Sequence, residues 1–386
     1  MPRLRQRMPG RFSLPGLTGA LLITALVASS PMAAWAQEEE KASRPDDVPE
    51  QEESSTRLVY PIPEDGDVVG EIKTVIADEE DTLIDIGRQH GLGYEEMRRA
   101  NPDLSMWYPG EGAEVVLPQK FILPPGPRDG VVVNLSELRL YYYPDVAEGE
   151  TPVVQTYPIS VGREGFSTPL GETRTTMKVK DPSWSPPASM RREAAERGDP
   201  PPEIVPPGPD NPLGRHAILL DIPGYLLHGT NRPDGVGMRV SRGCIRLYPE
   251  NIEYLYNNLP NNTTVRIINE PFKVGWDGDM LYVQAYPLLK DDGIAFEPII
   301  NAVDAVDAVM QESEKETPPV DYARVRYAMD SANGEPEPVL SSAPLLVDIA
   351  AVEALGLRTD FFRELDTEAT WSDLHSLYDA LELSRR

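Results

Sequence analysis

The chain has 386 residues, with 63 Asp and Glu against 36 Lys and Arg, a formal charge of −27 and a single cysteine. This balance argues against a nucleic-acid partner, because counterion release from phosphates needs a basic face. One cysteine makes neither an intrachain disulfide nor a cysteine-based zinc site, and the 40 prolines, roughly a tenth of the chain against a usual ~5%, argue against long helical bundles.

Arginines at 3, 5, 7 and 11 precede an apolar run over residues 14–27, which gives way to small residues and Ala34-Trp35-Ala36. The pattern predicts a secretory signal peptide, residues 1–36, cleaved after Ala36. Pro15, Gly16, Thr18, Gly19 and Thr24 interrupt the run, which speaks against an uncleaved anchor of about 20 apolar residues. With no second hydrophobic span, the expectation is an exported, periplasmic protein without stable membrane insertion. An acidic, proline-containing linker follows over residues 37–71.

From 72 to 120 the pattern changes. Thr74-Val75-Ile76 reads as a strand, Asp81 as the cap of a helix carrying Leu83 and Ile86, and Gly91 as its end. A second helix over 94–100 stops at Asn101-Pro102, and Val115-Val116-Leu117-Pro118 makes a second strand. This small α+β unit of order βααβ resembles a LysM module, through Asp81-Thr82-Leu83, Asn101-Pro102 and the closing Val-Leu-Pro. The resemblance implies binding of peptidoglycan glycan strands, and so localisation rather than chemistry. The alternative is a spacer packed on its neighbour.

Residues 128–270 form the largest unit. VVVNLSELRLYYY (131–143) alternates about Ser136-Glu137 as a hairpin does, with Tyr141, Tyr142 and Tyr143 expected to alternate between core and surface. Further strands are expected over 153–161, 172–179, 217–220 and 264–268. Between 181 and 214 lie ten prolines and one short charged helical patch. Pro249 and Glu250 open a helix with Ile252, Leu255 and Leu259 along one stripe. Short strands parted by Pro and Gly turns describe a mainly β fold, a β-sandwich or irregular barrel. Residues 271–292 read as an accessory β-hairpin turning at Trp276-Asp277-Gly278-Asp279. Residues 293–386 read as a partly ordered, partly helical C-terminal extension, with periodicity at Ile300, Val303, Val306 and Val309 and again over 343–382.

The chemistry concentrates in Leu227-His228-Gly229-Thr230 and Ser241-Arg242-Gly243-Cys244-Ile245-Arg246. A cysteine becomes a useful nucleophile when a base sits beside it and a third group orients that base. Sixteen positions separate His228 from Cys244, enough for a strand to end, a loop to turn and the chain to return alongside. The amides of Gly243 and Cys244 are candidate oxyanion donors. A Cys and a His taken alone favour the blander reading, a buried small hydrophobe and a satisfied core histidine. His90, His216 and His375 read as ordinary histidines, with no second ligand at metal spacing, so no metal and no cofactor is called for.

The order His-Gly-Thr, a gap, then Ser-x-Gly-Cys-Ile-Arg closely resembles the signature of the YkuD-type L,D-transpeptidases, and the likeness extends through Thr168-Pro169-Leu170-Gly171, Pro182-Ser183-Trp184-Ser185-Pro186-Pro187 and Asn211-Pro212-Leu213-Gly214. It implies Cys244 as nucleophile, His228 as general base and the Gly229 carbonyl as the group orienting the imidazole. Arg246 suits a peptide carboxylate, and Ser241 and Thr230 flank the centre as further substrate contacts. Arg242 departs from the family, where many members carry histidine; it either meets a stem-peptide carboxylate or is a solvated charge. The implied reaction is acyl transfer: Cys244 forms a thioester with residue 3 of a tetrapeptide stem, releases D-alanine, and passes the acyl group to an amine. That amine belongs to another stem, giving a 3–3 crosslink, or to a lysine of an envelope lipoprotein, the arrangement of modules resembling lipoprotein-anchoring members in Gram-negative bacteria. Alternatives are a hydrolase on the same scaffold, trimming crosslinks or releasing the lipoprotein, and a non-catalytic wall-binding protein.

Overall fold

The computed structural model describes residues 57–163, 165–198, 202–288, 298–313 and 315–343. The expected signal peptide, most of the linker, His375 and the periodicity beyond 343 lie outside them. In chain order the first elements are β1 (Leu58–Pro61), β2 (Val68–Ile76), α1 (Leu83–Gln89), α2 (Tyr94–Ala100) and β3 (Glu114–Ile122). Then come β4 (Gly130–Asn134), β5 (Arg139–Tyr143), β6 (Val153–Pro158), β7 (Val161–Gly162), β8 (Gly171–Lys180), α3 (Ala188–Glu196), β9 (His216–Leu220), β10 (Leu226–His228), β11 (Arg239–Ser241) and β12 (Ile245–Arg246). The remainder are α4 (Pro249–Asn258), β13 (Thr264–Ile268), β14 (Phe272–Asp277), β15 (Met280–Ala285), α5 (Pro298–Glu312), α6 (Tyr322–Ser331) and β16 (Glu337–Pro338).

The fold is mainly β, and its principal strands join in one nine-stranded mixed sheet of order β1-β6-β5-β4-β13-β8-β9-β10-β12. Two pairs in it are parallel, β4 with β13 and β10 with β12. Parallel neighbours need a long crossover; here α4 lies in the return from β12 to β13, and the segment 229–244 links β10 to β12. β1 belongs to this sheet, pairing antiparallel with β6 from Leu58↔Thr156 to Pro61↔Val153. Composition grouped it with the linker because four residues of alternating exposure carry too little signal by themselves.

Both faces of the sheet are covered. Val131, Val133, Leu140 and Tyr142 pack in one core with Leu227, Ile245, Ile252 and Leu255. Their neighbours in the two-residue alternation, Val132, Tyr141 and Tyr143, pack on the other face with Leu83, Leu92 and Met97. The three tyrosines therefore alternate between two cores, not between core and surface, because the βααβ unit lies where water was expected. That unit has β2 and β3 paired antiparallel over nine residues each. Its first helix is capped one residue later than expected: Thr82 Oγ1 accepts from the Asp85 amide at 3.0 Å, while Asp81 accepts from the amide of Asp78. Gly91 follows at φ +66°, the left-handed position that glycine adopts without strain. A fully buried pair ties α2 to the sheet, Arg139 Nε and Nη2 donating to the two Glu96 oxygens at 2.7 and 2.8 Å. Breaking one side of such a pair would strand a buried charge.

Beyond β13, β14 and β15 form the expected hairpin, and β16 adds a third strand. Within the C-terminal extension, α6 has Val325 and Ala328 in one core with Ala302 and Val306 of α5 and Leu281 and Val283 of β15. The apolar positions of α6 are too few to stand out among its charges.

Candidate active site

The parallel register of β10 and β12 sets Leu227 opposite Ile245 and His228 opposite Arg246. Cys244 thus enters β12 beside Leu226, whose amide is hydrogen-bonded to the thiol. In the sequence the spacing only leaves room for this return, and the motif resemblance pairs the two segments; the structure shows a 16-residue crossover returning the chain parallel to its own start. The Cys244 thiol is partly exposed and lies 3.5 Å from the Gly224 carbonyl. Burial pushes it above the ordinary thiol value, against the opposing effects of the Leu226 amide and the Arg246 guanidinium.

His228 is 5% exposed. Its Nδ1 lies 2.6 Å from the Gly229 carbonyl, so Nδ1 carries the hydrogen and Nε2 keeps its lone pair. Burial, then the Arg246 guanidinium, lower its pKa to about 4, the Gly229 carbonyl working in the opposite sense. The resting pair is a neutral thiol and a neutral imidazole. The Arg246 guanidinium is itself destabilised by burial and then by nearby Arg232, and its buried Nε has no hydrogen-bond partner among the described residues.

The cysteine loop is shaped by contacts that sequence reading did not resolve. Gly243 sits at φ +107°, and a Cβ there would lie 2.8 Å from the Tyr225 ring. Thr168, noted only as part of a motif, donates to the Gly243 carbonyl at 2.9 Å and accepts from the Gly162 amide at 3.2 Å. Ser241 Oγ donates to the Cys244 carbonyl at 2.6 Å and accepts from the Gly243 amide at 3.1 Å. The Gly243 N–H is therefore engaged inside the loop. Ser241 serves as a loop brace, and Thr230, 5% exposed, accepts from the Arg232 amide at 2.9 Å. Arg242 is mostly covered: it pairs with Glu193 of α3 and stacks over Phe166 at 4.3 Å. No motif links 166, 193 and 242, so only the fold reveals that clamp. His90 caps α1, and His216 packs 4.8 Å from the Tyr256 ring. Among the described residues no group of three His, Cys, Asp or Glu side chains gathers at metal-binding distance.

A family model for the L,D-transpeptidase catalytic domain, YkuD, matches residues 128–267. An Escherichia coli protein named as a probable L,D-transpeptidase, ErfK/SrfK, is 40% identical over 230 residues, 58% of this chain and 73% of its own. The Salmonella typhimurium protein of that name is 35% identical over 295 residues, 75% of this chain and 94% of its own. The chain belongs to the L,D-transpeptidase family. A third relative, E. coli YcfS, also named as a probable L,D-transpeptidase, is 37% identical and covers 72% of this chain and 87% of its own. The protein is thus an enzyme of L,D-transpeptidase type, acting on peptidoglycan stem peptides. No helix among the described residues is long and apolar enough to cross a membrane.

Proposed function

We propose that Cys244 and His228 carry out the acyl transfer, on peptidoglycan in the periplasm. The observation that supports this most directly is the β10–β12 register, which sets an imidazole oriented by its neighbour's carbonyl beside the strand that the only cysteine enters. His228 Nε2 accepts the thiol proton as Sγ attacks the carbonyl carbon of residue 3 of the stem. The C–N bond to D-alanine then breaks, the leaving amine takes the proton from His228, and a thioester remains. An acceptor amine attacks the thioester, its proton returning through His228 to the sulfur. A neutral starting pair suits this route, since the base needs only to take the proton in the transition state. The Cys244 amide is the remaining oxyanion donor of the loop, with Gly243 engaged by Ser241.

Arg246 supports a carboxylate-bearing donor. A guanidinium near the thiol whose Nε lacks a partner gains one when a substrate carboxylate arrives. The acceptor is the amine of a second stem or a lysine of an envelope lipoprotein, and the βααβ unit, read as LysM-like, contacts the glycan strand. The test is mass spectrometry of the full-length protein with disaccharide tetrapeptide. An adduct on Cys244 lacking D-alanine is expected, followed by a crosslinked product, and Cys244→Ala should form neither while keeping its fold. Acylation without Cys244 would overturn the assignment, and release of free tripeptide alone would favour the hydrolase.

A further inference from the structure

The βααβ unit was expected to supply localisation, with the chemistry left to the remainder of the chain. Its contacts give it a second task. At the start of α2 the Tyr94 and Glu95 amides have no acceptor within the helix. They donate to the carbonyls of Val236 and Gly237, at 2.9 and 3.2 Å. Those carbonyls belong to the crossover that joins His228 to Cys244. The approach is backbone against backbone: a Cβ on Gly93 would lie 2.7 Å from Gly237 Cα, and one on Gly237, at φ +87°, would lie 2.3 Å from the Tyr94 nitrogen. Two glycines facing each other leave room for nothing else.

The same crossover borders the Arg246 guanidinium, whose Nε has no partner among the described residues. Ser160 Oγ donates to the Gly235 carbonyl at 2.6 Å, and a Cβ on Gly235 would meet Arg246 Nη1 at 3.9 Å. Ser160 and Arg246 also exchange backbone hydrogen bonds at 2.8 and 2.9 Å. At this same end of α2 the unit is anchored to the sheet by the buried Arg139–Glu96 pair. It is anchored to α4 by Arg88, which donates from Nε and Nη2 to Glu250 at 2.9 Å each.

We propose that the βααβ unit is a positioning element of the catalytic centre: the first amides of α2 hold the 235–237 segment, and that segment sets the guanidinium of Arg246 toward the donor stem. This rests on the assignment of Cys244, His228 and Arg246 above. The test compares Tyr94→Pro with Tyr94→Ala in the full chain. Proline is tolerated in the first turn of a helix, and Gly93, at φ −99° and ψ 170°, already has the extended backbone that precedes proline. The proline variant loses the amide and the ring; the alanine variant loses the ring alone.

With soluble disaccharide tetrapeptide, Tyr94→Pro should fall about five- to tenfold below Tyr94→Ala in kcat/KM, the size of one lost hydrogen bond, with most of the loss in KM. Sedimentation with intact sacculi should be equal for the two. Equal kcat/KM values beside an active wild type would overturn the positioning role and leave the catalytic assignment standing, whereas a wild type that never acylates Cys244 would overturn both. Should Tyr94→Pro fail to fold, Gly93→Ala replaces it, since its backbone accepts alanine and the added methyl presses on Gly237. Wild-type kcat/KM in a folded Gly93→Ala protein would overturn the proposal equally.

Discussion

Two buried polar centres lie on the catalytic sheet, and they differ in how completely they are paired. Around Glu137 the pairing is dense. Lys273 Nζ donates to both Glu137 oxygens at 2.9 Å and to the Ile122 carbonyl, Tyr286 donates at 3.0 Å, Asn134 at 3.1 Å, and Tyr141 closes the set. This cluster joins the turn between β4 and β5 to the end of β3 and to the hairpin of β14 and β15. Around Cys244 the thiol has the Leu226 amide and one long contact with the Gly224 carbonyl, the imidazole is held at Nδ1, and the Arg246 Nε is without a partner among the described residues. A buried group that completes its hydrogen bonds within the fold is held for structure. Groups left incomplete beside a nucleophile await a partner from outside.

The largest effect on the open centre should come from His228→Ala. Loss of the base is expected to lower kcat by a factor on the order of 10² to 10⁴, with circular dichroism unchanged. Burial and Arg246 hold the imidazole at about 4, so the neutral base persists through the usual pH range. The acid limb of the kcat/KM profile should therefore fall near 4 rather than near the ordinary histidine value of about 6.5. Because Arg246 lowers this value, Arg246→Gln should move the limb upward. An acid limb near the ordinary value in the wild type would show that the imidazole is solvated in solution.

The paired centre should break differently. Lys273→Met leaves the buried Glu137 carboxyl without its cation, which costs about 3–5 kcal/mol of stability. Turnover below the melting transition should stay within about twofold, since no step of the reaction passes through Lys273. Denaturant unfolding beside steady-state rates separates the two effects. A large loss of turnover with stability intact would show that the two centres are coupled.

Between these lies Arg246→Gln, which removes the cation and keeps a polar side chain. A hydrogen bond to a charged group contributes about 1.5–3 kcal/mol, so KM for the tetrapeptide should rise about 10- to 100-fold, with a smaller change in kcat. A matching substrate in which the contacted carboxylate is amidated should lose the same factor with the wild type and little with the variant. Failure of that match would leave Arg246 as a field source alone.

Much of this contrast is legible in the sequence, and the reasons for the rest are physical. The two motif segments can be read together because each is a short continuous run and the crossover between them is visible along the chain. The hairpin at Ser136–Glu137 could be read because alternation is local. The cover on its second face could not, since Tyr141 and Tyr143 look the same whether water or Met97 lies opposite. The Glu137–Lys273 pair joins residues 136 positions apart, and no local pattern marks such a distance. The same limit hides the Glu193–Arg242 pair, whose residues lie 49 positions apart.

That pair gives the smallest expected effect. Arg242 is mostly covered, stacked on Phe166, and bonded to Glu193, whose carboxyl it holds below the ordinary range chiefly through this hydrogen bond. The carboxylate therefore stays charged through any pH at which the enzyme would be assayed, and protonation releases the pair only in stronger acid. Glu193 nevertheless faces solvent, and an ion pair at such a rim is screened by salt. Its task is to rest α3 against the cysteine loop, a role in which neighbouring Arg163, 3.8 Å from the same carboxylate, can share. Glu193→Gln should therefore change kcat/KM by less than about threefold, and the difference from wild type should shrink as salt is raised. Arg242→His should act on the same scale, since an imidazole can still stack on Phe166. A loss as deep as that of His228→Ala in either variant would place Arg242 among the reacting groups, and the open centre would then extend as far as α3.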